Sequence, residues 1–404
     1  MHITRLALDH FRSWTRCVVD FEPGITVLYG ANGLGKTNLV ESIEVLGTGA
    51  SHRASTLAPL IQQHAASATI RVNTSEAASD GRDPADTTYT YEITLNARGA
   101  NRARINGGAS HYMRDIVGRV PCIAFAPEDQ RLVAGDPSAR RTLLNQSGVL
   151  LAPEYADLLQ QCTHIAKQRA ALLKQLGQRA DDAPAALSGL EIWTGQFIEV
   201  GVELTRLRAS LVDRLKEPFS RIYAAVAGEG QQAELAYQPS FDEVLLFDQP
   251  EQELSRRFQR LYAGEVARGQ NLIGPQRDDM AVLLHGMPAR EFASNGEMWT
   301  LAWALKMALH ELVAQERGID PIIILDDVFA QLDDARRRQI MEFAQGREQV
   351  FITAAARNDI PASPGMHVID VAQLAESQRL AHDPDAMAQE FLENMRRSAD
   401  AGEA

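Results

Sequence analysis

The fold follows from residues 30 to 37, which read Gly30-Ala31-Asn32-Gly33-Leu34-Gly35-Lys36-Thr37. An apolar run at residues 25–29 precedes them, and a helical pattern at residues 38–46 follows. This order predicts a strand, a glycine-rich loop and a helix, with the G-x-x-x-x-G-K-T spacing of a P-loop. The loop therefore predicts that the chain binds a nucleoside triphosphate.

The residue types of this loop explain how it would hold a phosphate. Glycines at 30, 33 and 35 let successive backbone amides turn inward, where a Cβ would be an obstruction. The helix N-terminus, which includes Asn38, adds its partial positive charge. We expect Lys36 to reach the β- and γ-phosphates and the Thr37 hydroxyl to bind Mg²⁺. Residues 30–38 are together the predicted nucleotide-binding segment.

Length and composition describe a globular chain of several lobes. At 404 residues it is too long for one ordinary domain, so two or three lobes are expected. Hydrophobic residues make up 45% of the chain, which is ample for sizeable cores. No apolar run is long enough for a membrane helix, so we expect no membrane association. Three scattered cysteines without C-x-x-C spacing favour a reducing, cytoplasmic location.

The net charge of −13 restricts how the chain could bind nucleic acid. Nucleic-acid-binding proteins usually present a basic face. Because charge can be segregated on a surface, an acidic total does not exclude such a face. Any DNA contact must then be a local basic patch.

A second motif, at residues 322–327, reads Ile-Ile-Ile-Leu-Asp326-Asp327. An apolar strand that ends in two acids is a Walker B pattern. We predict that Asp326 completes the Mg²⁺ shell opposite Thr37, directly or through water. We predict that Asp327 is the catalytic residue, placed as a general base that polarises the attacking water.

A third motif, Ser294-Asn295-Gly296-Glu297, lies just before a strongly apolar helical segment. Alone, this spacing is typical of a helix capping box. Its position after the P-loop and before the Walker B strand is the order found in ABC-type ATPases. There the signature serine of one subunit contacts the γ-phosphate held by its partner. We therefore add Ser294, Gly296 and Glu297 to the predicted nucleotide-binding residues.

Between the P-loop and these later motifs, the sequence becomes helical. Apolar or long side chains recur in steps of four and three over residues 158–176 and again over 200–215. Two helices that pack on each other in an α-helical arm explain this pattern. The predicted class is α/β: an ABC-type P-loop ATPase head, with a mixed β-sheet and flanking helices, and an inserted arm. The head would comprise residues 1–134 and 265–404, and the arm with a short strand return residues 135–264.

Over nearly its whole length the chain resembles the RecF family of DNA repair ATPases, which are related to the Rad50 and SMC heads. The resemblance rests on these segments: 11–13, 30–38, 51–53, 125–129, 132–141, 274–279, 294–297, 325–329 and 332–333. The arm is short and lacks a C-x-x-C hook, which favours RecF over Rad50 and SMC. The chain departs from the family pattern at Asn145, Gln276 and Asn295. ABC ATPases place a switch histidine after the strand that follows Walker B, but residues 350–356 offer only Thr353.

The resemblance implies a function. RecF proteins bind ATP with Mg²⁺ and form a dimer with two nucleotides at its interface. They bind duplex DNA and single-strand/duplex junctions, and hydrolyse ATP slowly. With RecO and RecR they help to load the RecA recombinase in replication and repair. If these roles are carried over to this chain, Lys36, Thr37 and Asp326 would bind ATP and Mg²⁺. Asp327 would act in hydrolysis, and Ser294 would contact the γ-phosphate held by the partner.

Two other functions remain open from the sequence. A P-loop kinase of small molecules would need neither a signature serine far downstream nor a helical arm. An ABC-like ATPase of another DNA-maintenance or defence complex often carries an added nuclease domain, for which no room remains after residue 370. The leading prediction is a DNA-binding protein in which a weak, DNA-stimulated ATPase acts as a switch.

Overall fold

The computed structural model describes residues 1–54, 56–76, 88–178, 183–228, 230–361 and 363–380. Contacts divide the chain into two compact units. The first is Met1–Pro127 with the described part of Asp320–Ala404, and the second is Glu128–Ile319. This division places residues 128–134 and 265–319 with the helical unit. The functional head and arm boundaries given above stay a prediction.

The described residues form strands and helices in the following order. The strands are β1 His2–Phe11, β2 Trp14–Asp20, β3 Gly24–Tyr29, β4 Ser67–Ser75, β5 Thr88–Asn96, β6 Arg102–Ile105, β7 His111–Tyr112, β8 Cys122–Phe125, β9 Ala233–Gln238, β10 Asp279–Leu284, β11 Met287–Pro288, β12 Ile322–Leu325, β13 Gln349–Ala354 and β14 His367–Asp370. The helices are α1 Lys36–Thr48, α2 Arg131–Ala134, α3 Pro137–Leu151, α4 Tyr155–Gln178, α5 Ala183–Ala227, α6 Glu243–Leu246, α7 Pro250–Arg268, α8 Ala289–Phe292, α9 Asn295–Arg317, α10 Asp334–Ala344 and α11 Val371–Leu380.

The first unit is built around a five-stranded parallel sheet, in the order β14-β3-β13-β12-β8. The residues of β8, β12 and β13 are buried throughout, as expected for strands covered on both faces. Because the strands are parallel, the P-loop after β3 and the acids after β12 leave the same edge. Only β13 separates these two strands, so the sheet itself brings the motifs together.

A six-stranded antiparallel sheet, in the order β2-β1-β4-β5-β6-β7, completes the first unit. Its strands alternate between buried and exposed side chains, most regularly in β4 and β5. This alternation is typical of a sheet with one face on a core and one in water. The predicted α/β class, with sheets and flanking helices, is confirmed.

The second unit is mainly helical. Helices α4 and α5 pack on each other as the heptad pattern predicted, and α7 packs on both. Three phenylalanines form the centre of their shared core, with ring centroids 5.8–6.1 Å apart. They are Phe197 of α5, Phe241 just before α6, and Phe258 of α7. The periodic segment 200–215 covers only part of α5, which is 45 residues long and includes Pro218. Three long helices, α4, α5 and α7, thus share a core, where the sequence predicted a pair.

A buried ion pair fixes the base of these helices. Arg208 of α5 donates to Asp278 Oδ2 at 2.7 Å, and both side chains are almost fully buried. Asn145 accepts from Arg208 Nη2 at 2.8 Å and from the Tyr155 hydroxyl at 2.9 Å. An amide at position 145 thus satisfies two donors without adding a second carboxylate beside Asp278. None of the helices described here is long and apolar enough to span a membrane.

Candidate nucleotide-binding site

The P-loop backbone has the conformation that its glycines predict. Gly30, Gly33 and Gly35 have φ values of 147°, 87° and 94°, which side-chain-bearing residues rarely adopt. A Cβ on Gly35 would lie 2.8 Å from both Ser13 Oγ and Trp14 Nε1. Gly35 is also the N-cap of α1, so the loop leads directly into a helix N-terminus. The loop and the helix end together form a cradle for an anion.

Lys36 points into this loop. Its ammonium donates to Gly30 O at 2.6 Å and to Ala31 O at 3.1 Å, and Asn32 Oδ1 lies 3.5 Å away. The residue is only 6% exposed. Within the described residues these acceptors are all neutral oxygens, although a buried cation is strongly stabilised by an anion. The geometry fits a phosphate as the missing counter-charge.

Asp326 is the centre of the hydrogen bonds around the predicted metal position. Its Oδ1 accepts from Thr37 Oγ1 at 3.0 Å and from Thr353 Oγ1 at 2.6 Å. Burial alone would raise the pKa of Asp326, but His52 and the two threonine hydroxyls outweigh it and the pKa is lowered. Asp326 is therefore an anion that accepts a hydrogen bond from the Thr37 hydroxyl.

This arrangement fits Mg²⁺. The described residues contain no group of three or more His, Cys, Asp or Glu side chains that could hold a metal by themselves. Mg²⁺ usually takes only one or two protein ligands and keeps waters and substrate phosphates. The Thr37 hydroxyl and the Asp326 carboxylate, side by side next to the phosphate cradle, supply that donor set.

His52 bridges two carboxylates in this site. Its Nδ1 lies 2.7 Å from Glu44 Oε2, and its Nε2 lies 3.5 Å from Asp326 Oδ2. Burial by itself lowers the pKa of His52, but Asp326 and Glu44 together raise it to about 10. His52 is therefore an imidazolium that holds Asp326 from the side opposite the threonines. The sequence motif contained His52, but nothing in it indicated Glu44 as a partner.

The backbone at Asp327 is unusual. Its φ of 54° is in the left-handed region, which is uncommon for a residue other than glycine. Its N–H donates to Thr353 Oγ1 at 2.8 Å. Thr353 is thus bonded to both acids of the Walker B motif. Its hydroxyl ties β13 to the end of β12.

A second network supports the outer side of the P-loop helix. The buried Glu41 accepts two hydrogen bonds from Arg12, at 2.6 and 3.0 Å, and one from Arg53 at 3.2 Å. Asn38 accepts from Arg53 at 2.9 Å and donates to Ser13 Oγ at 2.8 Å. The side chain of Asn38, which was predicted to bind nucleotide, therefore forms a hydrogen bond to the β1–β2 turn. Glu41 was not predicted, because an acid within a helix gives no such signal.

The signature segment lies in the second unit, at the start of α9. Ser294 is the N-cap of this helix and forms a capping box with Glu297. Glu297 Oε2 accepts from Ser294 N at 2.8 Å and from Ser294 Oγ at 2.7 Å. These hydrogen bonds lower the pKa of Glu297. Ser294 and Asn295 are exposed, while Gly296 and Glu297 are half-buried.

Two curated relatives of this chain carry the same name, and a family model also matches it. The family model for the RecF/RecN/SMC N terminal domain matches residues 2–374. DNA replication and repair protein RecF from Bifidobacterium adolescentis is 62% identical over 394 residues, covering 96% of each chain. RecF from Bifidobacterium longum subsp. infantis is 61% identical over 379 residues, covering 93% of this chain and 90% of that one. The chain belongs to the RecF family.

A solved structure of a RecF protein has the same fold. It is described as the recombination mediator protein RecF with ATP in the RecFOR pathway. The TM-score is 0.80 at 25% identity, and the match covers 92% of this chain and 96% of that one. The resemblance read from the motifs is therefore confirmed, as is the ABC-type head. The roles of individual residues stay predictions.

Proposed function

We propose that this RecF-family chain is an ATP-dependent DNA-binding protein of recombinational repair and replication restart. ATP would drive head-to-head dimerisation on duplex or gapped DNA, and slow hydrolysis would release the dimer. The observation that carries this proposal is the joining of two distant motifs at one carboxylate, where Thr37 donates to Asp326. That hydrogen bond makes the P-loop and the Walker B strand one site.

The nucleotide would be held by the segment from Gly30 to Asn38. Lys36 would exchange its bonds to loop carbonyls for bonds to the β- and γ-phosphates. Thr37 and Asp326 would hold Mg²⁺, which when bound neutralises phosphate charge. Asp327, half-buried beside Asp326, would accept a proton from the attacking water. We propose that turnover is weak and acts as a switch, as the likeness to the RecF family implies.

Ser294, Gly296 and Glu297 would complete the site of a second copy. Ser294 and Asn295 are exposed, and the side-chain bonds of Ser294 are to its own helix. The capping box fixes the conformation of the helix N-terminus, which is the end of a helix that binds anions. This supports a dimer in which each γ-phosphate lies between the P-loop of one chain and α9 of the other.

The proposed partners follow from the family. The solved RecF is described as a recombination mediator of the RecFOR pathway. We propose by this likeness that the chain acts with RecR and RecO in the cytoplasm, and through them assists RecA loading. DNA, as duplex and as single-strand/duplex junctions, is the proposed direct partner.

The test is a DNA titration with three substrates and two nucleotides. Affinity for duplex, single-stranded and gapped DNA is measured with ATP and with ADP, at several salt concentrations. We expect tighter binding with ATP, strongest on duplex or gapped DNA, and loss of the ATP effect in Lys36→Ala. Equal affinity with ATP and ADP on all three DNAs would contradict the proposal.

A further inference from the structure

The exposed face of the six-stranded sheet carries a ladder of charges. Strand register places opposite charges next to each other along most of it: Arg5 faces Asp20, Arg16 faces Asp9, and Arg71 faces Glu92. The shortest N–O distances in these pairs are 2.5, 3.5 and 2.5 Å. Over this part of the sheet, positive and negative side chains are balanced.

This pairing of positive with negative side chains ends at the β6–β7 edge of the sheet. Arg102 and Arg104 alternate with the buried Ala103 on β6, so both guanidinium groups lie on the exposed face. Arg104 faces Glu92, whose Oε2 already accepts two hydrogen bonds from Arg71, at 2.8 and 2.5 Å. Within the described part of the chain, no carboxylate forms an ion pair with Arg102 or Arg104.

An aromatic ring orders the positive charges at this edge. Tyr112 of β7 faces Arg102 and is 46% exposed. The guanidinium carbon of Arg102 lies 4.5 Å from the ring centroid, and that of Arg114 lies 5.0 Å from it. Cation–π contact holds a guanidinium while leaving its N–H groups available to an anion. The ring therefore pre-organises Arg102, which would otherwise lose side-chain freedom on binding. Arg114 differs, because its Nε also lies 3.6 Å from Asp115 Oδ1.

The local charge is opposite to that of the whole protein. Residues 88–121 contain five arginines and only two carboxylates, in a chain with a net charge of −13. Arg102 and Arg104 are two residues apart on one strand, so their Cα atoms are about 7 Å apart. A row of guanidiniums at such spacing suits a ligand with repeated phosphates, since each can bind a separate phosphate bidentately. A single anion would use only one of them.

We propose that this edge, made of Arg102, Arg104 and Tyr112, is a docking surface for the phosphate backbone of DNA. The proposal rests on the function proposed above, in which DNA is the direct partner, and it locates one place of contact. Phosphate contacts carry no base preference, so the surface contributes equally to every DNA sequence. It also explains how an acidic protein can bind a polyanion, because the positive charge is confined to one sheet edge.

The experiment compares two double variants of the full chain. Arg102→Ala/Arg104→Ala removes the two arginines without acidic partners. Arg5→Ala/Arg16→Ala removes the same charge from the same sheet face, where each arginine has an acidic partner. Duplex affinity is measured with ATP from low to high salt. Loss of each phosphate contact lowers the salt slope by about 0.9 and weakens affinity about fivefold at ~0.15 M salt. We expect about 30-fold weaker binding for the first variant and less than about threefold for the second.

ATP affinity and thermal unfolding of both variants should match the wild type, because all four side chains are exposed. Tyr112→Ala should weaken DNA binding by a smaller factor than the double variant, and Tyr112→Phe should not. Wild-type affinity and salt slope in Arg102→Ala/Arg104→Ala would overturn the proposed surface alone. Equal losses in both double variants would also overturn it, as an effect of total charge. A wild-type chain that binds ATP but no DNA would overturn the proposed function and the surface together.

Discussion

The P-loop and the signature segment differ in how completely their own units surround them. Lys36 is buried among loop oxygens, and Thr37 is bonded to Asp326, which two further side chains hold in place. Ser294 is exposed, and its hydroxyl donates to Glu297 of the same helix turn. The first is the finished half of the proposed shared site, whereas the second is an exposed helix start whose hydrogen bonds are to its own residues. A dimer that shares nucleotides would need this difference.

Of the substitutions considered, Asp327→Asn should have the largest effect on ATP hydrolysis. It changes the P-loop site and leaves the signature segment intact. Losing the general base should slow ATP hydrolysis by about 100-fold or more, since such groups contribute about 10²–10⁴-fold. ATP affinity should stay within about twofold because an amide keeps the shape of the side chain. Phosphate release after rapid mixing with ATP and DNA measures the first, and equilibrium binding the second. Undiminished hydrolysis would remove Asp327 from its predicted role.

Lys36→Ala tests whether the finished half binds nucleotide by itself. Removing a buried ammonium that forms charge-assisted bonds to phosphate should weaken ATP binding by about 100-fold, or ~3 kcal/mol. Lys216→Ala, at an exposed lysine of the second unit, is the matched control and should leave ATP binding unchanged. Calorimetric titration gives both affinities. Similar affinities in the two variants would show that ATP is bound elsewhere.

Thr353→Val probes the support behind the finished half. The buried hydroxyl donates to Asp326 and accepts from the amide of Asp327, so its loss leaves both groups without that partner. We expect a loss of about 2 kcal/mol in the free energy of unfolding. Thr353→Ser should restore most of it, because the hydroxyl returns. Denaturant unfolding curves compare the three chains, and an unchanged midpoint for Thr353→Val would refute the assigned support.

Glu297→Ala should have the smallest effect, because it changes only a helix cap. A capping interaction contributes about 1 kcal/mol at pH 7. The folded pKa of Glu297 is lowered, so this stabilisation is present above the unfolded pKa of about 4.3 and is lost as pH falls through the folded value. The difference from wild type in the free energy of unfolding should therefore be larger at pH 7 than at pH 3. A difference of equal size at both pH values would contradict the assigned cap.

The sequence predicted the finished half well because its parts have fixed spacing. Glycine positions, a strand before the loop and a strand ending in two acids are local patterns, and parallel pairing brings their ends together. The contacts of His52 with Glu44 and of Arg12 with Glu41 could not be predicted. Each contact joins a loop residue to an acid of α1. In the sequence, a buried acid of a helix cannot be distinguished from an exposed one.

The arm shows the same limit. Heptad spacing identified α4 and part of α5, because one apolar seam repeats along each helix. It did not identify α7 as a third helix that packs on α4 and α5, since α7 has only a short apolar seam and most of its residues are polar. Nor did it reveal the pair of Arg208 and Asp278, which depends on the β10 segment meeting α5. Charged residues on helices are usually solvent-facing, so burial of this arginine has no sequence signal.

Sedimentation velocity of wild type and Ser294→Arg, each with and without ATP, tests the central claim most directly. The account predicts that wild type is a monomer without ATP and a dimer with it. Ser294→Arg should bind ATP as tightly as wild type but stay monomeric, because its P-loop half is intact and only the exposed half is blocked. A wild-type chain that stays monomeric with saturating ATP, or a Ser294→Arg chain that dimerises equally well, would contradict the shared site.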